Sequence, residues 1–264
     1  MACTVNQGAK IYWDEVGEGD PLLLIMGLGY PSDAWHRTRP VLARKYRTIA
    51  LDNRGVGRSD VPPGPYSIAL MASDAAAVLD AAGVRSAHVF GFSMGGMIAQ
   101  EFALRYPERV RSLILACTSA CGPHAVQAEP EAAQMLMSRG NMTPEDAAEA
   151  AVPFIYAPST PRPLIDEDIE VRRPWFPRPE AYLAQLQAIL GWESDGRLSQ
   201  IHSPTLVIHG ESDRLVPAGN GRILAEKVAG AKLILLANAS HIFTTDQTEA
   251  ALRAILEFLE ESSN

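Results

Sequence analysis

One serine held between two glycines, in Gly91-Phe92-Ser93-Met94-Gly95, constrains this chain more than any other stretch. Residues 87–90 form a short apolar run that reads as a buried strand. From Ser93 onward, Met94, Met97, Ile98, Phe102 and Leu104 supply the apolar positions of a helix. A serine at so abrupt a strand-to-helix reversal presents its hydroxyl on strained backbone. The small neighbours matter because the turn brings backbone and side chains close together. The turn sets a condition on the rest of the chain: an acid after one late strand, and after that a histidine.

Before this turn the chain alternates strands and helices. Residues 10–15 alternate loosely and read as an edge strand, and 17–21 form a turn in which glycine and proline supply the reversal angles. Residues 22–26 are a continuous apolar run, suited to a sheet buried on both faces, and end in the glycine-rich loop Gly27-Leu28-Gly29-Tyr30. Ser32-Asp33 can cap a helix containing Ala34, Trp35, Val41 and Leu42. Residues 47–51 give the next strand, closed by a polar loop over 52–60. Pro62, Pro63 and Pro65 exclude regular structure until a helix over 68–82, which Gly83 suits as a C-terminal cap. Residues 110–116 read as another buried strand. This rhythm predicts an α/β architecture built on a mostly parallel, doubly wound sheet.

The rhythm breaks between about 121 and 200. Helices are expected over 129–139, 143–156 and 179–190, with a proline-rich break at 157–163 and no convincing strand. An insertion of this size lies near the carboxyl ends of the strands, where ligands also bind, so it reads as a cap and not as decoration. Residues 1–120 and 201–264 are then a core domain, and 121–200 a helical cap domain inserted between late strands. A strand at 205–209, a helix over about 218–228, a last strand at 232–236 and an amphipathic helix over 248–260 complete the chain. Asp213 follows the first of these strands and His241 the second, so the condition set at Ser93 is met.

Composition narrows the partners. A formal charge of −8 disfavours nucleic acid or an anionic membrane. No apolar run is long enough to span a bilayer, and residues 1–10 lack the layout of a secretory signal, so a cytoplasmic location is expected. Cys3, Cys117 and Cys121 are too few for a disulfide framework or a zinc site. Neither a metal nor an organic cofactor is implied.

The arrangement resembles the α/β-hydrolase superfamily over essentially the whole chain. The matching pieces are Gly91-Phe92-Ser93-Met94-Gly95, Gly210-Glu211-Ser212-Asp213-Arg214-Leu215-Val216-Pro217, Ala239-Ser240-His241, and Asp52-Asn53-Arg54-Gly55-Val56-Gly57-Arg58-Ser59. Their order, serine then acid then histidine, is the family's order. The resemblance implies Ser93 as nucleophile, His241 as general base and acid, and Asp213 as the group orienting the imidazole. It also implies an oxyanion hole from the backbone N–H groups of Leu28 and Met94. The family's oxyanion loop commonly begins His-Gly where this chain has Met26-Gly27, and Ala239-Ser240 stand where glycines are frequent. His36, His88, His124, His202 and His209 are read as structural, as are the rival acids Asp195 and Glu211. Asp52, Asn53, Arg54 and Arg58 are read as a network locking the loop beside the site.

The fold and site class implied is a serine hydrolase of small capped esterase or enol-lactonase type. Its partner would be a small-molecule ester or lactone, small to medium in size and largely apolar. Other chemistry on the same framework stays open: carbon–carbon bond hydrolysis, cofactor-free perhydrolase or haloperoxidase action, amidase or aminopeptidase action, or a ligand sensor with a retained triad. A haloalkane dehalogenase would need an aspartate in place of Ser93. Gly27, Met137, Phe154, Tyr156, Trp175 and Trp192 are the candidates for lining the substrate pocket. Arg172-Arg173 in the cap could meet a substrate carboxylate, but the pair is read as a solvated face.

Overall fold

The computed structural model describes residues 2–263. Eight strands form one sheet: β1 (Ala2–Asn6), β2 (Ala9–Val16), β3 (Asp20–Ile25), β4 (Tyr46–Leu51), β5 (Ala87–Phe92), β6 (Val110–Ala116), β7 (Thr205–Gly210) and β8 (Lys232–Leu236). Their order is β1-β2-β4-β3-β5-β6-β7-β8. β1 and β2 run antiparallel, and every pairing from β4 to β8 is parallel. Parallel strands need crossovers that cover both faces. The residues of β5 and β7 are accordingly buried throughout.

The helices are α1 (Arg39–Leu42), α2 (Ile68–Ala81), α3 (Met94–Arg105), α4 (Pro130–Ser138), α5 (Pro144–Ile155), α6 (Arg162–Arg172), α7 (Pro179–Leu190), α8 (Gly219–Lys227), α9 (Phe243–Asp246) and α10 (Thr248–Ser262). The two-residue alternation of the strands sorts the core into two layers. Leu23, Ile25 and Val89 pack with Met71, Ala75 and Phe102 of α2 and α3. Leu22, Leu24, Phe90 and Phe92 pack with Trp35 and with Ile255 and Leu259 of α10. Each side chain of that size contributes roughly 1.5–3 kcal/mol on full burial, so these layers hold the carboxyl ends of β3, β5, β6 and β7 in fixed register. Helices α4–α7 all lie between β6 and β7 in the chain and cover that end of the sheet. Among the described residues no helix is long and apolar enough to cross a membrane.

Three local expectations are corrected. β2 is not an edge strand, because β1 pairs along its outer side. The helix expected from Ser32-Asp33 is split into a 3₁₀ turn over Ser32–Trp35, preceded by Pro31, and the separate α1, with Pro40 in its first turn. Helix α6 begins inside the supposed proline-rich break. Pro163 occupies its first turn, where a missing N–H costs nothing because no intrahelical acceptor faces it.

Candidate active site

Ser93 sits at the junction of β5 and α3 with φ 55° and ψ −119°, outside the regions ordinary L-residues favour. Its N–H donates to Ala116 O at 2.8 Å, and its carbonyl accepts from Thr118 Oγ1 at 2.7 Å. The glycines explain how so tight a turn closes. A Cβ on Gly95 would sit on the carbonyl of Ile25, one on Gly91 on the carbonyl of Gly95, and one on Gly96 against Thr118. Gly27 lies beside the serine, since a Cβ there would come within 3.0 Å of Ser93 Cβ. The sequence pattern is therefore a packing requirement of strand, turn and oxyanion loop together.

His241 follows β8, and its Nδ1 lies 2.7 Å from Asp213 Oδ2 in the loop after β7. An ionised carboxylate only accepts, so Nδ1 carries a proton, and in the neutral ring Nε2 is then the acceptor. Asp213 Oδ1 accepts from the N–H groups of Leu215 (2.9 Å) and Val216 (2.8 Å), which fixes the carboxylate plane. Burial pushes the Asp213 pKa up, but the facing His241 and His209 rings outweigh it and hold the carboxyl well below the usual carboxylate range. Gly210 lets the acid loop and the histidine turn touch, because a Cβ there would meet the carbonyls of Ala239 and Ser240. Asp246 holds the histidine turn by accepting from Ser240 N at 2.7 Å.

The loop over 26–30 is braced by residues from before and after β6. Asn53 Nδ2 donates to Met26 O at 2.8 Å. Gly29 N donates to Gln185 Oε1 at 2.8 Å, while Gln185 Nε2 donates to Arg54 O at 2.8 Å. Asp52 accepts from Ser32 N (2.6 Å) and Arg58 N (2.8 Å), and Arg54 makes a two-pronged pair with buried Asp74. With Met26 at the start of this loop, these side chains hold it through its backbone. Gln185 was not legible in the sequence, since a lone glutamine inside a helix carries no spacing signal.

Ser93, His241, Gly27, Leu28 and Met94 all border one cavity of about 600 Å³, lined mainly by apolar side chains. Trp192 borders it too. Met137, Phe154, Tyr156 and Trp175 do not, for identifiable reasons. Ala132 and Met135 take the inward face of α4 and leave Met137 53 % exposed. Phe154 lies under the Arg214 guanidinium and Trp175 under that of Arg58. The Tyr156 hydroxyl donates to Asp168, away from the cavity. Arg172 is buried against Tyr30 with its Nε on Asp168 O, and Arg173 faces Glu170 and Glu145. The cavity's arginine is instead Arg139, which the sequence reading did not single out.

Of the other histidines, His202 is exposed and His209 lies 3.4 Å from Asp213. His88 Nδ1 is 2.8 Å from Ser112 Oγ, and His209 Nε2 is 2.7 Å from Val216 O, which makes that nitrogen a donor. His36 and His124 gain acids the sequence did not suggest, Asp168 at 3.2 Å and Asp195 at 2.7 Å, because tertiary contact brings distant residues together. Asp195 also pairs with Lys227, so it is committed away from His241. Cys3, Cys117 and Cys121 are free thiols, and burial pushes Cys121 up to about 11.

A sheet of this order, with an abrupt serine turn after its central strand and an acid and histidine after later strands, defines a class of protein. Residues 20–161 match the family model described as the alpha/beta hydrolase fold, and the chain belongs to that family of hydrolases. It is 32% identical over 256 residues to RutD of Azorhizobium caulinodans, named as a carbamate hydrolase, covering 96% of each chain. It is 33% identical to the poly(3-hydroxyalkanoate) depolymerase of Ectopseudomonas oleovorans, covering 91% of this chain and 84% of that one. In fold it is similar to the enol-lactonase of Burkholderia xenovorans LB400, with a TM-score of 0.88 at 24% identity, covering 98% of this chain and 100% of the other.

Proposed function

We propose that the protein hydrolyses a small to medium carboxylic ester or lactone with a largely apolar body, through an acyl-Ser93 intermediate. The observation that carries this reading is the His241–Asp213 pair at 2.7 Å opening onto the same apolar cavity as the strained Ser93. Neutral His241 would take the Ser93 proton through Nε2 as the hydroxyl attacks the carbonyl, then return it to the departing alcohol. Asp213, ionised and fixed by two backbone donors, would hold the imidazole in that tautomer and stabilise its cationic form. Leu28 N and Met94 N would bind the oxyanion. The first N–H groups of a helix lack intrahelical acceptors, so Met94 at the start of α3 has a donor to offer. Water activated by His241 would then release the acid.

The relatives named for carbamate hydrolysis and polyester depolymerisation support acyl transfer to water as the shared chemistry. The apolar lining favours a carboxylic ester or lactone over a small polar substrate. A panel of p-nitrophenyl esters of increasing acyl length tests the reading. Turnover with a preference for intermediate chains is expected; absence of turnover on every member by folded protein would count against it.

A further inference from the structure

Arg139 closes the cap side of the Ser93 cavity. It stands at the end of α4, on a 3₁₀ turn over Arg139–Asn141. Gly140 in that turn lies so near Leu183 of α7 that a Cβ would come within 2.8 Å of Leu183 Cδ2. The Tyr182 hydroxyl donates to Leu136 O at 2.9 Å, fastening the same two helices. The Arg139 guanidinium is thereby laid over the Tyr182 ring, 5.0 Å from its centroid, with the Tyr182 hydroxyl as its other neighbour.

Its electrostatics are incomplete. The cap arginines Arg162, Arg173 and Arg197 each face a carboxylate, Arg172 donates its Nε to Asp168 O, and Arg178 lies exposed to water. Arg139 forms no ion pair among the described residues, and its buried Nε has no hydrogen-bond partner. Glu193, which also lines the cavity, is exposed and makes no ion pair with it. The Tyr182 ring and hydroxyl face the guanidinium, but its Nε has lost water without gaining an acceptor. Carboxylates are the partners that fit its planar fork of donors.

We infer that Arg139 is a specificity residue that binds an anionic group of the substrate, so that the ester or lactone carries a carboxylate remote from its reacting carbonyl. This rests on the acyl-transfer reading above and narrows it. The carbonyl lies at Ser93, the aliphatic body along Met135, Leu136 and Ile189, and the charge against Arg139 at the cap. Cavity volume accommodates a linear dicarboxylic half-ester of medium length.

The experiment compares monomethyl esters of four- to eight-carbon dicarboxylic acids with methyl alkanoates of equal length. The readout is the ratio of their kcat/KM values. For the native protein one chain length of the anionic series should be favoured by about tenfold or more. Arg139→Gln should lower that ratio by about 10- to 100-fold, the loss expected for a hydrogen bond to a charged group, chiefly through KM. Arg139→Lys should restore part of it. Equal losses on both series, or no native preference, would overturn the inference. Calorimetry with adipate separates this from failure of the hydrolase reading itself. Binding weakened about tenfold by Arg139→Gln supports the anion site whatever reaction occurs; absent or Arg139-independent binding overturns it.

Discussion

At the scale of single residues, the account rests on a hydroxyl, an imidazole and a carboxylate from three separated loops. Ser93→Ala removes the attacking oxygen while changing little volume. We predict loss of at least about 10⁴-fold in kcat with the fold retained, checked by ester turnover and circular dichroism; undiminished turnover would sink the mechanism. The pH profile is a second prediction. Only neutral imidazole is a base, so kcat/KM should fall on acidification as His241 protonates. Asp213 is held below the usual carboxylate range, so it stays ionised across that fall and the limb should have unit slope. A slope of two would mean that the acid titrates as well. Ser93, Asp213 and His241 could be chosen as candidates from the sequence because a nucleophile, an acid and a base each call for a specific residue type after a strand. Arg139 could not, because a guanidinium becomes informative only when its missing counter-charge is seen.

At the scale of elements, the turn between β5 and α3 is where geometry tolerates least. Gly95→Ala would drive a methyl group onto the Ile25 carbonyl of β3, which is backbone and cannot swing aside. We predict destabilisation of roughly 1–3 kcal/mol or more, measured by urea denaturation, together with loss of turnover. Wild-type stability in that variant would contradict the packing described. The largely buried strands β3 to β7 were readable because sheets covered on both faces need continuous apolar runs. β1 was missed because Ala2–Asn6 is half-exposed and polar at alternate positions, leaving too faint a pattern over five residues. Helix α6 was missed for another reason. Its sequence is strongly charged, follows Pro158 and Pro161 and has Pro163 in its first turn, yet proline is favourable at a helix start, so a breaker was in fact a beginning.

At the scale of the whole molecule, cap and sheet are joined by buried charge. Asp168 of α6 pairs with Arg37 at 2.9 Å and accepts from Thr245 Oγ1 at 2.6 Å, both outside the inserted segment, and from the Tyr156 hydroxyl at 3.1 Å within it. Asp168→Ala would leave Arg37 with Glu167 as its remaining carboxylate and would take the acceptor from the Tyr156 and Thr245 hydroxyls, which should cost roughly 1–3 kcal/mol. Faster limited proteolysis in residues 121–200 should accompany that loss; unchanged stability and cleavage would contradict this role. Burial opposes ionisation of Asp168, but His36, Thr245 and Arg37 prevail and its pKa is lowered. Asp168 and Asp213 are thus both lowered on folding. Their stabilisation is complete above the carboxylate range of the unfolded chain and is lost as pH falls through the folded values. Denaturation of Asp168→Asn should accordingly show a weaker dependence on acid pH than the native protein.

The claim on which the rest depends is that Ser93 alone is the activated nucleophile. Reaction with a fluorophosphonate, followed by intact mass and peptide mapping, tests it most directly. One adduct on the peptide carrying Ser93, absent from Ser93→Ala and slowed in His241→Ala, is the predicted result. Stoichiometric labelling of another residue, or ester turnover that survives while Ser93 remains unlabelled, would contradict it.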